Sequence, residues 1–70
     1  MENQTDTQPE FHITNSILNG RWRIYIDCEG YRNFTCETGF DSCEDAKYAL
    51  EQNKGHYLKR WEANKSAYKY

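Results

Sequence analysis

Two segments that alternate apolar and polar residues flank an Asn19-Gly20 dipeptide, and this pattern constrains the fold more than any other feature of the chain. Alternation with a period of two is typical of strands that bury one face. Asn-Gly accepts the positive φ angles of a two-residue type I′ turn, which joins antiparallel strands. The sequence therefore predicts a β-hairpin of residues 11–18 and 21–27. Its expected inward residues are Phe11, Ile13, Ile17, Trp22, Ile24 and Ile26.

A third strand is expected after the turn that contains Gly30. Residues 31–37 predict this strand, with Phe34 and Cys36 facing inward. Thr38-Gly39 is expected to end it, because glycine weakens the interior of a strand. The three strands would then form an antiparallel meander with one apolar face, and that face needs a cover.

A helix is expected next. Ser42 is a favourable N-cap, and Asp45, three residues later, completes a variant of the capping box. Asn53-Lys54-Gly55 combines a cation in the last turn with a glycine of the kind that commonly follows a helix end. The sequence predicts a helix over 43–54 that covers the sheet, and a second short helix over 56–67. Further core residues are expected to be Phe40, Ala46, Ala49, Leu50 and Trp61.

The fold class expected from these elements is α+β, a three-stranded antiparallel meander packed on one helix. The chain has 70 residues, so it can hold one small domain with a limited core. We expect this domain to span residues 10–70 and residues 1–9 to form a flexible polar tail. The polar start is unlike a signal peptide, and no apolar run approaches the roughly 20 residues of a membrane span.

Three cysteines without an export signal indicate a reduced, cytoplasmic protein. Cys28, Cys36, Cys43 and His56 could supply four zinc ligands, but their spacing matches no common zinc motif. No phosphate-binding loop, Ser-His-Asp set or pair of inward carboxylates can be placed on the chain. We therefore expect a binding module rather than an enzyme, without catalytic residues, metal or cofactor.

Two strings of the sequence carry a resemblance to a known family. Residues 20–26, GRWRIYI, have a glycine before a basic strand with a Trp, and residues 39–50, GFDSCEDAKYAL, have a Gly-Phe helix entry. They resemble the plant AP2 DNA-binding domain and the AP2-like arm-binding N-terminal domain of tyrosine integrases, over about half the chain. The resemblance implies a three-stranded sheet in the DNA major groove. Asp27 departs from it, because AP2 has an arginine there, and the Arg-rich first strand of AP2 is missing. The DNA-facing residues that it implies are Arg21, Arg23, Tyr25 and Arg32.

Charge is unevenly distributed along the chain. Residues 27–51 contain seven acidic residues against Arg32 and Lys47, whereas residues 52–70 contain five basic residues against Glu62. The basic segment has interleaved aromatic residues, which favours contact with phosphates and bases. Its candidate contact residues are Lys59 and Arg60. The acidic segment favours a basic protein partner instead, and its candidate residues are Asp41, Glu44 and Asp45.

Two classes of function are compatible with these patterns. The first is a nucleic-acid-binding module that contacts double-stranded DNA through its exposed sheet face and its basic C-terminal segment. The alternative is a protein of the phage or mobile-element type that binds and inhibits a host protein through its acidic and aromatic surface. A structural explanation also exists, since strand arginines commonly pair with acids of neighbouring strands. A monomer or a weak homodimer is expected, because the first strand is an edge without charges to protect it.

Overall fold

The computed structural model describes residues 8–70, which form a three-stranded antiparallel sheet with one long helix on one of its faces. The elements are β1 (Glu10–Asn15), β2 (Trp22–Asp27), β3 (Phe34–Phe40), α1 (Cys43–Asn64) and a C-terminal 3-10 helix (Lys65–Tyr68). The strands lie in the order β1-β2-β3. This architecture confirms the predicted α+β meander. The predicted tail, residues 1–9, lies outside the described residues except for its last two.

The core lies between the sheet and α1. Ile24 and Ile26 of β2 are fully buried, whereas Arg23 and Tyr25, which alternate with them, are only half-buried. The predicted assignment of faces on β2 is therefore confirmed. Removing each isoleucine side chain from water stabilises the fold by about 1.5–3 kcal/mol. The buried cluster consists of Ile24, Ile26, Cys28, Phe34, Cys36, Ala46, Tyr57 and Trp61.

The connection between β1 and β2 is longer than the predicted two-residue turn. Asn15 pairs with Trp22, and the Ser16 N–H donates to the Arg21 carbonyl at 2.7 Å. Residues 17–20 therefore form the loop, and β1 ends before them. The type I′ prediction is wrong because the last residues of the predicted first strand belong to the turn rather than to the ladder.

The change of register has one favourable and one unfavourable consequence for the predicted core. The predicted turn would have paired Ile17 with Trp22, whereas Asn15 takes that place. A shift of two residues keeps every side chain on its face, so the inward positions of Phe11 and Ile13 are retained. Ile17 itself lies in the loop and is 94% exposed, so its predicted place in the core is wrong.

β3 begins and ends later than the predicted strand of residues 31–37. The expected break at Thr38-Gly39 is instead a β-bulge, in which Gly39 is an extra residue opposite the start of β2 and has a φ of 93°. Cys36 is the extra residue at a second irregularity of the same strand. Glycine adopts this left-handed φ at low cost, so the bulge absorbs the residue and the strand continues to Phe40.

α1 is one continuous helix over Cys43–Asn64. The predicted end at Asn53-Lys54-Gly55 and the separate helix over 56–67 are therefore both wrong. The predicted start is confirmed, because the Asp45 N–H donates to the Ser42 Oγ at 3.1 Å. The N-cap thus follows from local sequence, whereas the C-terminal end does not.

The helix passes through Gly55 because residues beyond it are buried against the sheet. Tyr57 is 1% exposed and Trp61 is 3% exposed. A glycine in a helix interior costs about 1 kcal/mol relative to alanine, and burial of two large aromatic side chains outweighs that cost. Packing over the whole length of α1 therefore decides where the helix ends.

Gly55→Ala is expected to raise the free energy of unfolding by about 0.5–1 kcal/mol, since alanine restricts the unfolded chain and favours the helix. A Cβ at this position would meet no atom within 4 Å. Thermal unfolding followed by circular dichroism measures the change as a higher midpoint. Gly39→Ala is the matched control, and its positive φ predicts destabilisation. A lower midpoint for Gly55→Ala would contradict a helix that is continuous at residue 55.

The end of the chain returns to the loop between β2 and β3. Tyr31 and Lys69 form an isolated antiparallel bridge, and the Arg32 N–H donates to the Tyr68 carbonyl at 2.7 Å. The Tyr68 ring meets Phe34 edge-on, with the ring centroids 5.2 Å apart. The 3-10 helix and the residues after it are therefore fixed to the sheet at the end opposite the β1–β2 loop.

Candidate binding surface

The face of the sheet opposite α1, called here the outer face, is not covered by any element within residues 8–70. The cross-strand register places side chains of β1 and β3 beside those of β2 in two rows. The first row is Thr14, Arg23 and Thr38, and the second is His12, Tyr25 and Thr35. Every member has a polar group that can donate or accept a hydrogen bond. The outer face is therefore a polar surface with one permanent positive charge, on Arg23.

The Arg23 guanidinium is held in a fixed position on this face. Its Nη1 donates to the Thr35 Oγ1 at 2.8 Å, and its Cζ lies 5.0 Å from the centroid of the Tyr25 ring. Tyr25 in turn stacks on His12, with centroids 5.3 Å apart and planes inclined by 23°. The bond to Thr35 uses one of the five N–H donors of the guanidinium. A ligand therefore meets an arginine whose orientation is set before binding.

The far end of the outer face, where β1 begins and β2 ends, is acidic. Glu10 lies opposite Asp27, and both side chains are largely exposed. The His12 Nε2 is 3.5 Å from the Glu10 Oε1 and 3.9 Å from the Asp27 Oδ2. An anionic ligand is thus attracted to the Arg23 end of the face and repelled from the Glu10–Asp27 end.

Arg21 lies just beyond the Arg23 end, at the exit of the β1–β2 loop. Its Nη1 donates to the Gly39 carbonyl at 3.3 Å and lies 3.6 Å from the Asp41 Oδ1. Both charged side chains are more than half exposed, and exposed ion pairs contribute little to stability. Arg21 can therefore contact a ligand, and only the weak ion pair with Asp41 would be lost.

The other basic residues predicted to bind are not brought to the outer face. Arg32, in the β2–β3 loop, donates from its Nη2 to the Ala67 carbonyl at 2.8 Å. Arg60, on α1, donates to the Cys36 carbonyl at 3.0 Å at the edge of β3. Lys59 is exposed on α1, which packs on the inner face. Arg32 and Arg60 thus tie elements of the fold together, and the predicted basic set is divided between two sides of the sheet.

The predicted acidic residues lie together at the start of α1. Asp41 precedes the helix, and Glu44 and Asp45 are in its first turn, where carboxylates interact favourably with the helix dipole. All three are exposed. Since Arg21 contacts Asp41, this acidic end of α1 and the β1–β2 loop lie at the same end of the molecule.

His12 and Thr35 were not among the residues predicted to lie beside Arg23 and Tyr25. The predicted two-residue turn would have placed Thr14 opposite Tyr25. The longer loop of the structure places His12 there instead. Thr35 reaches its place through the bulges of β3, which have no local signal apart from Gly39. These contacts could have been predicted only with knowledge of the correct cross-strand register.

The cysteines are free, and two of them are buried in the core. Burial raises the pKa of the Cys28 thiol, and it raises the pKa of the Cys36 thiol to about 11 although the nearby Arg60 charge opposes the change. Both thiols are therefore neutral at physiological pH. Within residues 8–70 no three His, Cys, Asp or Glu side chains converge as a metal site requires.

Comparison with protein families, with characterised proteins and with solved structures finds no match to this chain. No helix within residues 8–70 has the length and apolar character needed to cross a membrane.

Proposed function

We propose that this chain is a non-enzymatic nucleic-acid-binding module that contacts double-stranded DNA through the Arg23 end of its outer face. The observation that carries the proposal is the fixed Arg23 guanidinium, bonded to Thr35 and lying against Tyr25 on a face that no element of residues 8–70 covers. A planar guanidinium with unused donors suits both phosphate and the guanine edge. The AP2-like strings of the sequence imply the same mode of binding.

The dimensions of the outer face suit a groove of DNA. Neighbouring strands lie about 4.8 Å apart, so three strands are about 10 Å wide, and the major groove is about 12 Å wide. Arg23, Thr14 and Thr38 then offer donors and acceptors in one row across the groove. The carboxylates of Glu10 and Asp27 fix the orientation, because the duplex must lie away from their end of the face.

The basic C-terminal segment has a secondary part in this proposal. Lys59 and Arg60 belong to α1, on the other side of the sheet, and the Lys65 Nζ lies 3.2 Å from the Glu62 Oε1. These charges act on a duplex at the outer face only through space, over distances comparable with the Debye length of about 8–10 Å. Direct contact is assigned to Arg23 and Arg21, which predicts modest affinity.

Replacing Arg21 and Arg23 together with alanine is expected to abolish duplex binding at physiological salt. We expect the unchanged protein to bind a fluorescent 20-base-pair duplex with a Kd of about 1–100 μM at physiological salt, and with a slope of log Kd against log salt of about 1.8 for its two phosphate contacts. Each lost phosphate contact reduces the slope of log Kd against log salt by about 0.9. Anisotropy titrations at several salt concentrations measure both quantities. Circular dichroism verifies that the variant remains folded.

Two further variants sharpen the measurement. Arg23→Lys keeps the charge but loses the planar fork, so it should retain the salt slope and lose affinity. Lys59→Ala removes an exposed charge from the opposite side and should leave the Kd within about twofold of the unchanged protein. No duplex binding at about 50 mM salt, or equal binding by the double alanine variant, would overturn the proposal.

A further inference from the structure

His12 lies on the outer face between its basic end and its acidic end. Along β1 it stands between Thr14, which pairs with Arg23, and Glu10, which pairs with Asp27. The His12 Nε2 is shielded from solvent and has no hydrogen-bond partner within residues 8–70. Such an atom is uncommon in folded proteins, because it forfeits the hydrogen bond that water would supply. Its surroundings therefore bear on what this histidine does.

Two carboxylates face the His12 Nε2. The Glu10 Oε1 is 3.5 Å away and the Asp27 Oδ2 is 3.9 Å away. In a neutral imidazole one ring nitrogen is an acceptor, and an acceptor at Nε2 would face two negative charges. A protonated imidazole has a donor on Nε2 and turns both contacts into ion pairs. Histidine commonly changes its charge within the physiological range of pH, so the charge of this end of the face depends on pH.

The other charged and titratable groups near His12 are Tyr25, Arg23 and Lys54. The Tyr25 ring stacks on the imidazole with centroids 5.3 Å apart, and the Arg23 Cζ lies 5.0 Å from the Tyr25 centroid. Lys54 belongs to α1 on the inner face, where its Nζ lies 5.7 Å from the centroid of the Phe11 ring. A proton on His12 therefore offsets two carboxylates of the outer face and adds to the charge of Arg23.

We propose that protonation of His12 strengthens duplex binding at the outer face. The inference rests on the nucleic-acid contact proposed above and names its regulation. With His12 neutral, Arg23 is the single positive charge against the carboxylates of Glu10 and Asp27. With His12 protonated, two positive charges balance two negative ones. The repulsion of phosphates from the acidic end is then reduced, and the duplex can lie over a longer part of the face.

The expected gain in affinity follows from the salt dependence of phosphate contacts. The binding constant varies as about the −0.9 power of the salt concentration for each contact, so a full contact is worth about 15-fold at about 50 mM salt. The His12 Nε2 is shielded, so its proton acts on the phosphates through space and the gain is smaller. We expect the duplex to bind about three- to tenfold more tightly at about pH 5.5 than at about pH 7.5.

Anisotropy titrations of the duplex at these two pH values test the inference with a matched control. The chain has two histidines, and the second, His56, is exposed on α1 on the other side of the sheet. His56→Gln should keep the pH dependence of the unchanged protein. His12→Gln should bind with a Kd that differs by less than about twofold between the two pH values. Circular dichroism at both pH values verifies that each variant is folded.

A second variant removes the carboxylates instead of the histidine. Glu10→Gln with Asp27→Asn should strengthen duplex binding at the higher pH by about three- to tenfold, because it abolishes the same repulsion without a proton on His12. Both replaced side chains are more than half exposed, so the fold should be retained. Unchanged affinity of this variant would contradict a repulsive acidic end.

Proton uptake during binding gives an independent readout. If protonation favours the duplex, linkage requires that duplex binding also favours protonation. Calorimetric titrations at about pH 6.5, in two buffers of different ionisation enthalpy, measure this uptake, and His12→Gln should abolish it. Binding that is equal at both pH values, or a pH dependence that persists in His12→Gln, would overturn the inference and leave the duplex contact standing. Absence of duplex binding by every one of these proteins would overturn both.

Discussion

Replacing Trp61 with alanine is expected to lower the free energy of unfolding by about 3–5 kcal/mol. Trp61 is 3% exposed, and its ring meets Tyr31 with centroids 5.6 Å apart. It thereby joins the last turns of α1 to the β2–β3 loop. A domain of this length has only about 4–10 kcal/mol of total stability, so the variant should be largely unfolded at physiological temperature. Urea denaturation followed by circular dichroism measures the loss.

Trp61→Phe provides the control for this experiment. The Trp61 Nε1 has no hydrogen-bond partner within residues 8–70, so removing the indole N–H leaves no other group unsatisfied. Phenylalanine keeps most of the buried apolar surface, and a loss below about 2 kcal/mol is expected. If Trp61→Ala were as stable as Trp61→Phe, the C-terminal half of α1 could not be packed as described.

The domain is expected to lose stability steeply between pH 9 and pH 12. Burial, and then the hydrogen bond from its hydroxyl to the Glu37 Oε1 at 2.8 Å, raise the pKa of Tyr57 from 10.0 to about 12. Burial raises the pKa of Cys36 from 9.0 to about 11. Both groups stay protonated in the folded chain while the unfolded chain releases their protons. Stability is therefore complete below pH 9 and is lost as pH rises through the two folded pKa values.

The size of the loss of stability at alkaline pH follows from the raised pKa values of Tyr57 and Cys36. A rise of about two pH units in the pKa corresponds to about 3 kcal/mol for each group. Tyr57→Phe removes the hydrogen bond to Glu37 and should cost about 1–2 kcal/mol at pH 7, but it should flatten the loss between pH 10 and pH 12. Tyr48→Phe, at an exposed site, should leave the profile unchanged. Urea midpoints from pH 7 to pH 12 provide the test, and an unaltered alkaline slope in Tyr57→Phe would contradict the burial of this hydroxyl.

Local sequence rules predicted those parts of the fold that local chemistry decides. The alternation of apolar and polar residues over 22–27 predicted the buried face of β2 correctly. A shift of two residues in the pairing with a neighbouring strand leaves Ile24 and Ile26 on the same face, so the error in register did not matter here. The Ser42 cap was also predictable, since its hydrogen bond reaches only three residues. These features need no information from distant parts of the chain.

Features that depend on distant contacts could not be predicted in this way. Gly55 has the local character of a helix end, and only the burial of Tyr57 and Trp61 shows that the helix continues. The register of β3 depends on two irregularities opposite β2. The same applies to the candidate binding surface. Arg23 and Tyr25 were predicted to lie on one face, but the hydrogen bond from Arg23 to Thr35 could not be predicted without the register of β3.

The bridge between Tyr31 and Lys69 has a consequence for the order in which the molecule assembles. The β1–β2 hairpin joins residues close in sequence, so it can close while later residues are still being synthesised. The bridge joins Tyr31 in the middle of the chain to Lys69. The entropic cost of closing a loop grows with its length, so this contact costs more entropy to form than the hairpin does. The β1–β2 hairpin can therefore form early in synthesis, whereas the opposite end of the molecule is completed only after residue 69 has been synthesised.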